Sequence, residues 1–140
     1  VAESVTGGLV SYRVTEVPGS SKYFKMGMIA YDPGVKASNL GIPFEFINEN
    51  QAVNEEVAKG MAQSIRLLAG ADLGLSTTGF AGPDGGTESE PVGTVYIGLD
   101  HKQGNLVERI LYPSTRSRTR SYAAQQALRV LYRFLVGLAE

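Results

Sequence analysis

Apolar residues recur along this chain in two rhythms. Leu9, Val10, Val14 and Val17 fall at helical spacing behind Gly7-Gly8, and Pro18-Gly19-Ser20-Ser21 closes the run; together they predict a first helix over 7–17. Phe24 to Tyr31 holds Met26, Met28, Ile29 and Ala30 almost without interruption, the pattern of a strand buried on both faces. Asp32-Pro33 pairs an N-cap residue with proline at the first helical position, and opens a short helix that carries Lys36 and ends near Gly41. Phe44 to Gln51 reads as a helical turn and a connection. Asn54-Glu55-Glu56 starts a further helix, with Val57, Ala58, Met61, Ile65 and Leu68 on one face and Gly70 as its stop.

The second half changes rhythm. Leu73 to Thr78 is a strand running into the glycine-dense loop 79–87, and Val92 to Leu99 alternates Val95, Ile97 and Leu99 against Thr94, Tyr96 and Gly98. Leu106 to Tyr112 is its hairpin partner across a Gly104-Asn105 turn that also exposes His101. Ala124, Ala127, Leu128, Leu131, Leu135 and Leu138 mark a long amphipathic helix whose first turns carry Arg116, Arg118 and Arg120. Residues 1–3 read as the end of a strand that begins upstream. Strands alternating with helices, then a hairpin before the last helix, predict one α/β domain over 1–140, with a mixed, mostly parallel sheet covered on both faces.

Composition narrows the chemistry more than the fold. The 140 residues carry no cysteine and a single histidine, which removes disulfides, thiolate catalysis and any zinc site built on several imidazoles. A Ser-His-Asp triad would have to recruit His101 from a hairpin turn. The net charge of -1 exerts no pull toward nucleic acid or an anionic membrane. No apolar run approaches the ~20 residues of a spanning helix.

Ligands of open α/β sheets bind beyond the carboxyl ends of strands. Three segments of this chain belong there: the Ser4 stretch, residues 31–36 and loop 79–87. Ser4, ahead of Thr6-Gly7-Gly8, reads either as a helix cap or as a nucleophile with backbone donors beside it. Lys36, early in a helix, is a solvated lysine or, if buried, a general base whose pKa has been lowered by ~3 units. Tyr31 is an aromatic core residue or a hydroxyl that bonds Ser4 or relays its proton. Loop 79–87 has neither Walker nor GxGxxG spacing; it is a surface loop or a backbone cradle ending in Thr87. Arg116 and Arg120, four apart, share a helix face suited to a phosphate.

In this order the segments resemble the CinA carboxy-terminal domain family, which includes bacterial nicotinamide mononucleotide amidases. The family's Ala-Glu-Ser-Cys-Thr-Gly-Gly stands here as Ala2-Glu3-Ser4-Val5-Thr6-Gly7-Gly8, and its Val-Pro-Gly-Ser-Ser as Val17 to Ser21, followed by Tyr23-Phe24. Its Tyr-to-Lys element is Tyr31, Lys36, Leu40 and Gly41; its glycine loop is Thr78 to Thr87 and its Pro-Val-Gly-Thr-Val-Tyr-Ile is Pro91 to Ile97. Arg116, Arg120, Ala127 and Leu128 match its last helix.

The resemblance implies a three-layer α/β/α sandwich that is cytoplasmic, needs no metal or organic cofactor, and hydrolyses the carboxamide of nicotinamide mononucleotide. It implies Ser4 as nucleophile, Lys36 as base and Tyr31 as the residue that links or orients them. Thr6, Gly7 and Gly8 would be donors to the oxyanion and substrate. Thr78, Gly82, Gly85, Gly86, Thr87, Arg116 and Arg120 would hold the ribose phosphate. The implied partner is a small nucleotide, with neither nucleic acid nor membrane, and a homo-oligomer is compatible with it.

The sequence departs from the family at Val5 (cysteine), Gln51-Ala52-Val53-Asn54 (Gly-Ala-Val-Ser), Glu90 (lysine) and Ser114-Thr115 (Gly-Asp). These departures keep open a nucleotide-binding or regulatory module without turnover; the family context alone adds a module that binds recombination or competence proteins, for which the sequence offers no patch.

Overall fold

The two rhythms become a five-stranded mixed sheet with helices on both faces. The computed structural model describes residues 1–47 and 52–137. In chain order, β1 is Ala2–Glu3, α1 Leu9–Thr15, β2 Met28–Ile29, α2 Pro33–Leu40, α3 Glu55–Ala69, β3 Leu73–Gly79, β4 Thr94–His101, β5 Gly104–Leu111 and α4 Arg116–Leu135. Short 3₁₀ turns occupy Ser20–Lys22 and Phe44–Phe46. The strand order is β2-β1-β3-β4-β5, with β1 parallel to both neighbours and β4 antiparallel to both β3 and β5. The layered, mixed architecture is as expected. Its long ladders are antiparallel, however, because β3, β4 and β5 follow each other through loops rather than helical crossovers.

Strand alternation sorts the core into two layers. Leu75, Val95, Ile97 and Leu99 face α1 and α4, where they meet Val10, Ala123, Ala124, Ala127 and Val130. Ala2 and Ala30 face the other way, onto Leu40 of α2 and Val57, Met61 and Ile65 of α3. Each of these larger side chains, fully buried, contributes about 1.5–3 kcal/mol. Helix α3 lies so close to the sheet that a Cβ at Gly98 would meet Ala58 of α3; Ser76 turns the proximity to use, donating its hydroxyl to the Ala58 carbonyl at 2.6 Å. Asn54 caps α3 through the Val57 amide at 2.9 Å, so the Asn for Ser departure keeps its cap.

Several boundaries differ from the sequence reading. Helix α1 starts at Leu9, not Gly7, because Gly7 and Gly8 take φ of 56° and 102°, left-handed values that no helix interior allows. The apolar run 24–31 yields only the two residues of β2. This is an edge strand with Ile29 55% exposed, not a strand buried on both faces, since among the described residues it pairs on one side alone, with β1. The hairpin turn is Lys102-Gln103, and Gly104 and Asn105 are already paired with His101 and Asp100. His101 ends β4 half-buried, its ring 4.7 Å from that of Phe134. Gln51, at the end of the predicted 44–51 connection, and Leu138 of the last helical stripe lie outside the described residues.

Candidate active site

The loop leaving β1 is built on a buried carboxylate. Glu3 is fully buried and accepts from Thr6 Oγ1 at 2.6 Å, Gly8 N at 3.0 Å, Val10 N at 3.0 Å, Ser11 N at 2.8 Å and Ser11 Oγ at 2.7 Å. Burial alone would raise its pKa; the bonds from Thr6, Ser11 and Val10 outweigh burial and hold the carboxyl below its usual value. Glu3 therefore occupies the electropositive start of α1 that the sequence reading offered to a ligand. Ser4 is not the cap of that helix, and the role passes to the residue before it.

Freed from capping, Ser4 hangs beyond the end of β1, 8% exposed, with its amide tied to the Thr77 carbonyl of β3 at 2.9 Å. Lys36, in the first turn of α2 and 1% exposed, reaches it: Nζ lies 3.0 Å from Ser4 Oγ and 3.0 Å from the Tyr31 carbonyl. Helix α2 aims the lysine because Asp32 caps it through the Gly34 and Val35 amides at 2.7 and 3.3 Å, with Pro33 fixing the first turn. Among the described residues no carboxylate forms an ion pair with Lys36. Burial lowers its pKa to about 8, against a smaller upward pull from Asp32. At that value about a tenth of the amines are neutral at pH 7, against roughly one in 3,000 for an ordinary lysine.

Tyr31 reaches this pair differently from expectation. Its carbonyl, not its hydroxyl, holds Lys36, while the exposed side chain turns outward and its hydroxyl accepts from Arg116 NH2 at 2.9 Å. The reason is positional: Tyr31 follows the edge strand β2, where the side chain faces the cleft mouth. Arg116 also donates to the Gly82 carbonyl at 2.9 Å and forms no ion pair among the described residues, so its charge stays unneutralised.

The cleft above Ser4 holds about 120 Å³ and is lined by Tyr31, Thr78, Phe80, Gly82 and Arg116, with Val5, Pro33, Val53, Gly79, Ala81 and Asp84 completing the wall. It is far below the ~300–1,000 Å³ that enclose a whole drug-sized ligand, so it can receive only one end of one. Thr78, Gly82 and Arg116 are thus brought to Ser4 and Tyr31. Thr6, Gly7, Gly8, Gly85, Gly86, Thr87 and Arg120 are not among the lining residues.

Thr6, Gly7, Gly8, Thr87 and Arg120 have other partners. Thr6 bonds Glu3 and, at 2.7 Å, Thr77; Gly7 N donates to the Ser4 carbonyl at 3.0 Å; Gly8 N donates to Glu3. Thr87 accepts from the Glu90 amide at 3.0 Å and its own amide donates to the Glu90 carbonyl at 2.8 Å, a local turn directly after Gly85 and Gly86. Arg120 donates to the Val5 carbonyl at 3.1 Å and the Thr6 carbonyl at 3.2 Å, clamping the Ser4 loop from α4.

The sequence reading missed Glu3, Val53, Phe80 and Asp84. The only available signal was the unusual placing of Glu3, a charge in a strand directly after the apolar Val1 and Ala2. The departures are absorbed locally. Val5 joins the core beside Val10. Glu90 accepts from Tyr96 at 2.5 Å and pairs with Arg109 at 3.1 Å, so its reversed charge is answered from β5. Thr115 caps α4 through the Arg118 amide at 3.4 Å. Among the described residues no cluster of three or more His, Asp or Glu is arranged to hold a metal, and no helix is long and apolar enough to cross a membrane.

Comparison with known proteins agrees with this architecture. Residues 1–135 match the family model described as CinA C-terminal domain. A relative from Desulforudis audaxviator named "Putative competence-damage inducible protein" is 47% identical over 135 residues, covering 96% of this chain and 33% of its own. One from Moorella thermoacetica with the same name is 44% identical over 140 residues, all of this chain and 34% of its own. The chain thus spans about a third of the length of these relatives. Among solved structures, the competence damage-inducible protein A of Klebsiella pneumoniae superposes with a TM-score of 0.91 at 27% identity, covering 96% of this chain and 84% of that one. The competence/damage inducible protein CihA of Agrobacterium tumefaciens superposes with a TM-score of 0.89 at 31% identity, covering 99% and 83%.

Proposed function

This chain belongs to the CinA C-terminal domain family, and from that premise we propose that it is a metal-independent serine amidohydrolase acting on the carboxamide of nicotinamide mononucleotide. One observation carries the reading: a fully buried lysine amine, unpaired with any carboxylate among the described residues, lies 3.0 Å from a serine hydroxyl at the floor of a cleft. With the amine neutral, that hydrogen bond reverses and Ser4 becomes the donor.

In the proposed reaction Ser4 Oγ attacks the carboxamide carbon and its proton passes to Lys36 Nζ. The tetrahedral oxyanion collapses, the C–N bond breaks, and Lys36 returns the proton to the departing nitrogen, which leaves as ammonia. Water then attacks the ester with Lys36 again taking the proton. The C–O bond to Ser4 breaks, the hydroxyl is re-formed and nicotinate mononucleotide leaves. Tyr31 orients the amine through its carbonyl. The amide of Val5, which lines the cleft, has no acceptor among the described residues and is the oxyanion donor in this reading, in place of Gly7 and Gly8. Arg120, on the Val5 and Thr6 carbonyls, holds the turn that presents this amide. Arg116 at the rim meets the phosphate, which a cleft of about 120 Å³ leaves outside.

The test is release of ammonia from nicotinamide mononucleotide. We expect turnover that Ser4→Ala lowers by roughly 10³-fold or more. Equal rates for the two proteins at every pH from neutral to alkaline would end the proposal. The commitment of Gly7, Gly8 and Thr6 to other partners favours a second reading, nucleotide binding without turnover; calorimetric binding by an inactive wild-type protein would select it.

A further inference from the structure

Of the three arginines that open α4, Arg116 lines the catalytic cleft and Arg120 clamps the Ser4 loop. Arg118 does neither. It borders a depression of about 380 Å³ between α1 and α4, together with Arg13, Tyr112, Ser121, Tyr122 and Gln125, none of which lines the cleft above Ser4. Two guanidiniums, two phenols, a hydroxyl and a carboxamide make up this set; among the described residues it holds no aliphatic side chain and no carboxylate. Its volume falls within the ~300–1,000 Å³ of small-molecule sites.

The chain builds most of this surface from one helix. Arg118, Ser121, Tyr122 and Gln125 stand three or four positions apart and share a face of α4. Arg13 of α1 is fixed against that face: its NH1 donates to the Ser121 carbonyl at 3.0 Å and its NH2 to Ser121 Oγ at 2.8 Å. Three of its five N–H groups are left without an acceptor among the described residues. The half-buried Tyr112 stacks on the exposed Tyr122, with ring centroids 4.1 Å apart and planes 18° from parallel. Thr119 Oγ1 donates to the Tyr112 carbonyl at 3.2 Å, which ties the inner ring to α4.

Charge here is unbalanced. Helix α4 carries five arginines and no acidic residue, and α1 has no acidic residue either. Neither Arg13 nor Arg118 forms an ion pair among the described residues. Two guanidiniums beside one depression repel each other, and an anion between them removes that cost while accepting their N–H bonds. The outer tyrosine offers a face on which a further planar ring continues the stack. Gln125 has a donor and an acceptor for the edge of such a ring. From this set of groups we infer that the depression is a second ligand site, separate from the catalytic cleft, for a nucleoside monophosphate. The base stacks on Tyr122 with its edge toward Gln125, and the phosphate lies between Arg118 and the unused N–H groups of Arg13. The inference stands whether or not Ser4 turns over an amide.

Calorimetry with adenosine monophosphate on the full chain tests this. The nucleotide should bind, and adenosine or inorganic phosphate alone should bind about tenfold more weakly, because each lacks half of the recognition. Arg118→Ala and Tyr122→Ala, both at exposed positions and checked for folding by circular dichroism, should each weaken binding about tenfold. Arg116→Ala, in the cleft, should leave it unchanged. No binding up to about 5 mM nucleotide, full affinity in either of the first two variants, or inorganic phosphate binding as tightly as the nucleotide would overturn the inference. So would loss of binding in Arg116→Ala, since the nucleotide would then sit in the catalytic cleft.

Discussion

The two ends of β1 open onto cavities of opposite character. Past its carboxyl end, a cleft of about 120 Å³ gathers Ser4, Thr78, Asp84 and Arg116 above a buried amine. Beside its amino end, a groove several times larger is walled mainly by aliphatic side chains. Size alone would choose the second as the site of chemistry, and chemistry chooses the first. A hydrolytic centre needs a few groups whose other options have been taken away, and Lys36, desolvated and unpaired with any carboxylate among the described residues, is such a group. The larger groove offers area without chemistry.

Lys36→Met tests this contrast most severely. A methionine of similar length fills the buried site without an amine, so carboxamide hydrolysis should fall by roughly 10³-fold while the protein stays folded by circular dichroism. A rate within tenfold of wild type would remove Lys36 from the chemistry. The wild-type rate should itself rise about tenfold per pH unit up to about pH 8 and flatten above it, because the base must be neutral. A profile flat from pH 6 to 9 would break the same claim.

Next in size is Glu3→Gln, which removes the charged acceptor of five hydrogen bonds and should cost about 3 kcal/mol in urea unfolding at pH 7. The sign of its pH dependence is fixed by the lowered pKa. Wild-type stability from Glu3 is full above the ordinary value of 4.5 and is lost as pH falls through the folded value, so the two proteins should converge in acid. A constant gap from pH 7 to pH 3 would contradict it.

The two arginines of α4 sharpen the picture further. Arg116→Ala should raise KM for the nucleotide about tenfold with little change in kcat, since it removes a rim cation. Arg120→Ala should instead lower kcat, since it frees the Val5 and Thr6 carbonyls of the Ser4 loop. Steady-state kinetics with the opposite split would exchange their roles. Smallest of all, Arg109→Ala, which breaks a pair between an exposed Arg109 and a half-buried Glu90 that keeps its bond from Tyr96, should change stability by less than about 1 kcal/mol and leave the rate unaltered.

Much of the fold was legible because the signals were local. Asp32-Pro33, Asn54 and Gly70 mark helix ends through bonds to amides or carbonyls only a few residues away, and they mark them correctly. The alternation of Val95, Ile97 and Leu99 fixes which side of β4 faces α4. The extent of β2 was not legible, because pairing rather than residue type sets how far a strand runs, and β2 is paired with β1 at Met28 and Ile29. Within the site, Ser4, Tyr31 and Lys36 stood out by residue type and by motif. The glycines at 7 and 8 misled as donors, because their amides were claimed by Ser4 and Glu3.

The sequence by itself determined the helices, the strand periods, the caps and the absence of thiol chemistry, since each depends on residue type within a turn or two of chain. Tertiary structure decided that residue 36 meets residue 4, that Tyr31 meets Arg116 across 85 positions, and that Arg120 turns to the loop instead of the cleft. It also decided that the amine is desolvated. A lysine's acidity is set by what packs around it, and the packing here is assembled from strands and helices far apart in the chain, brought together by the order of the sheet.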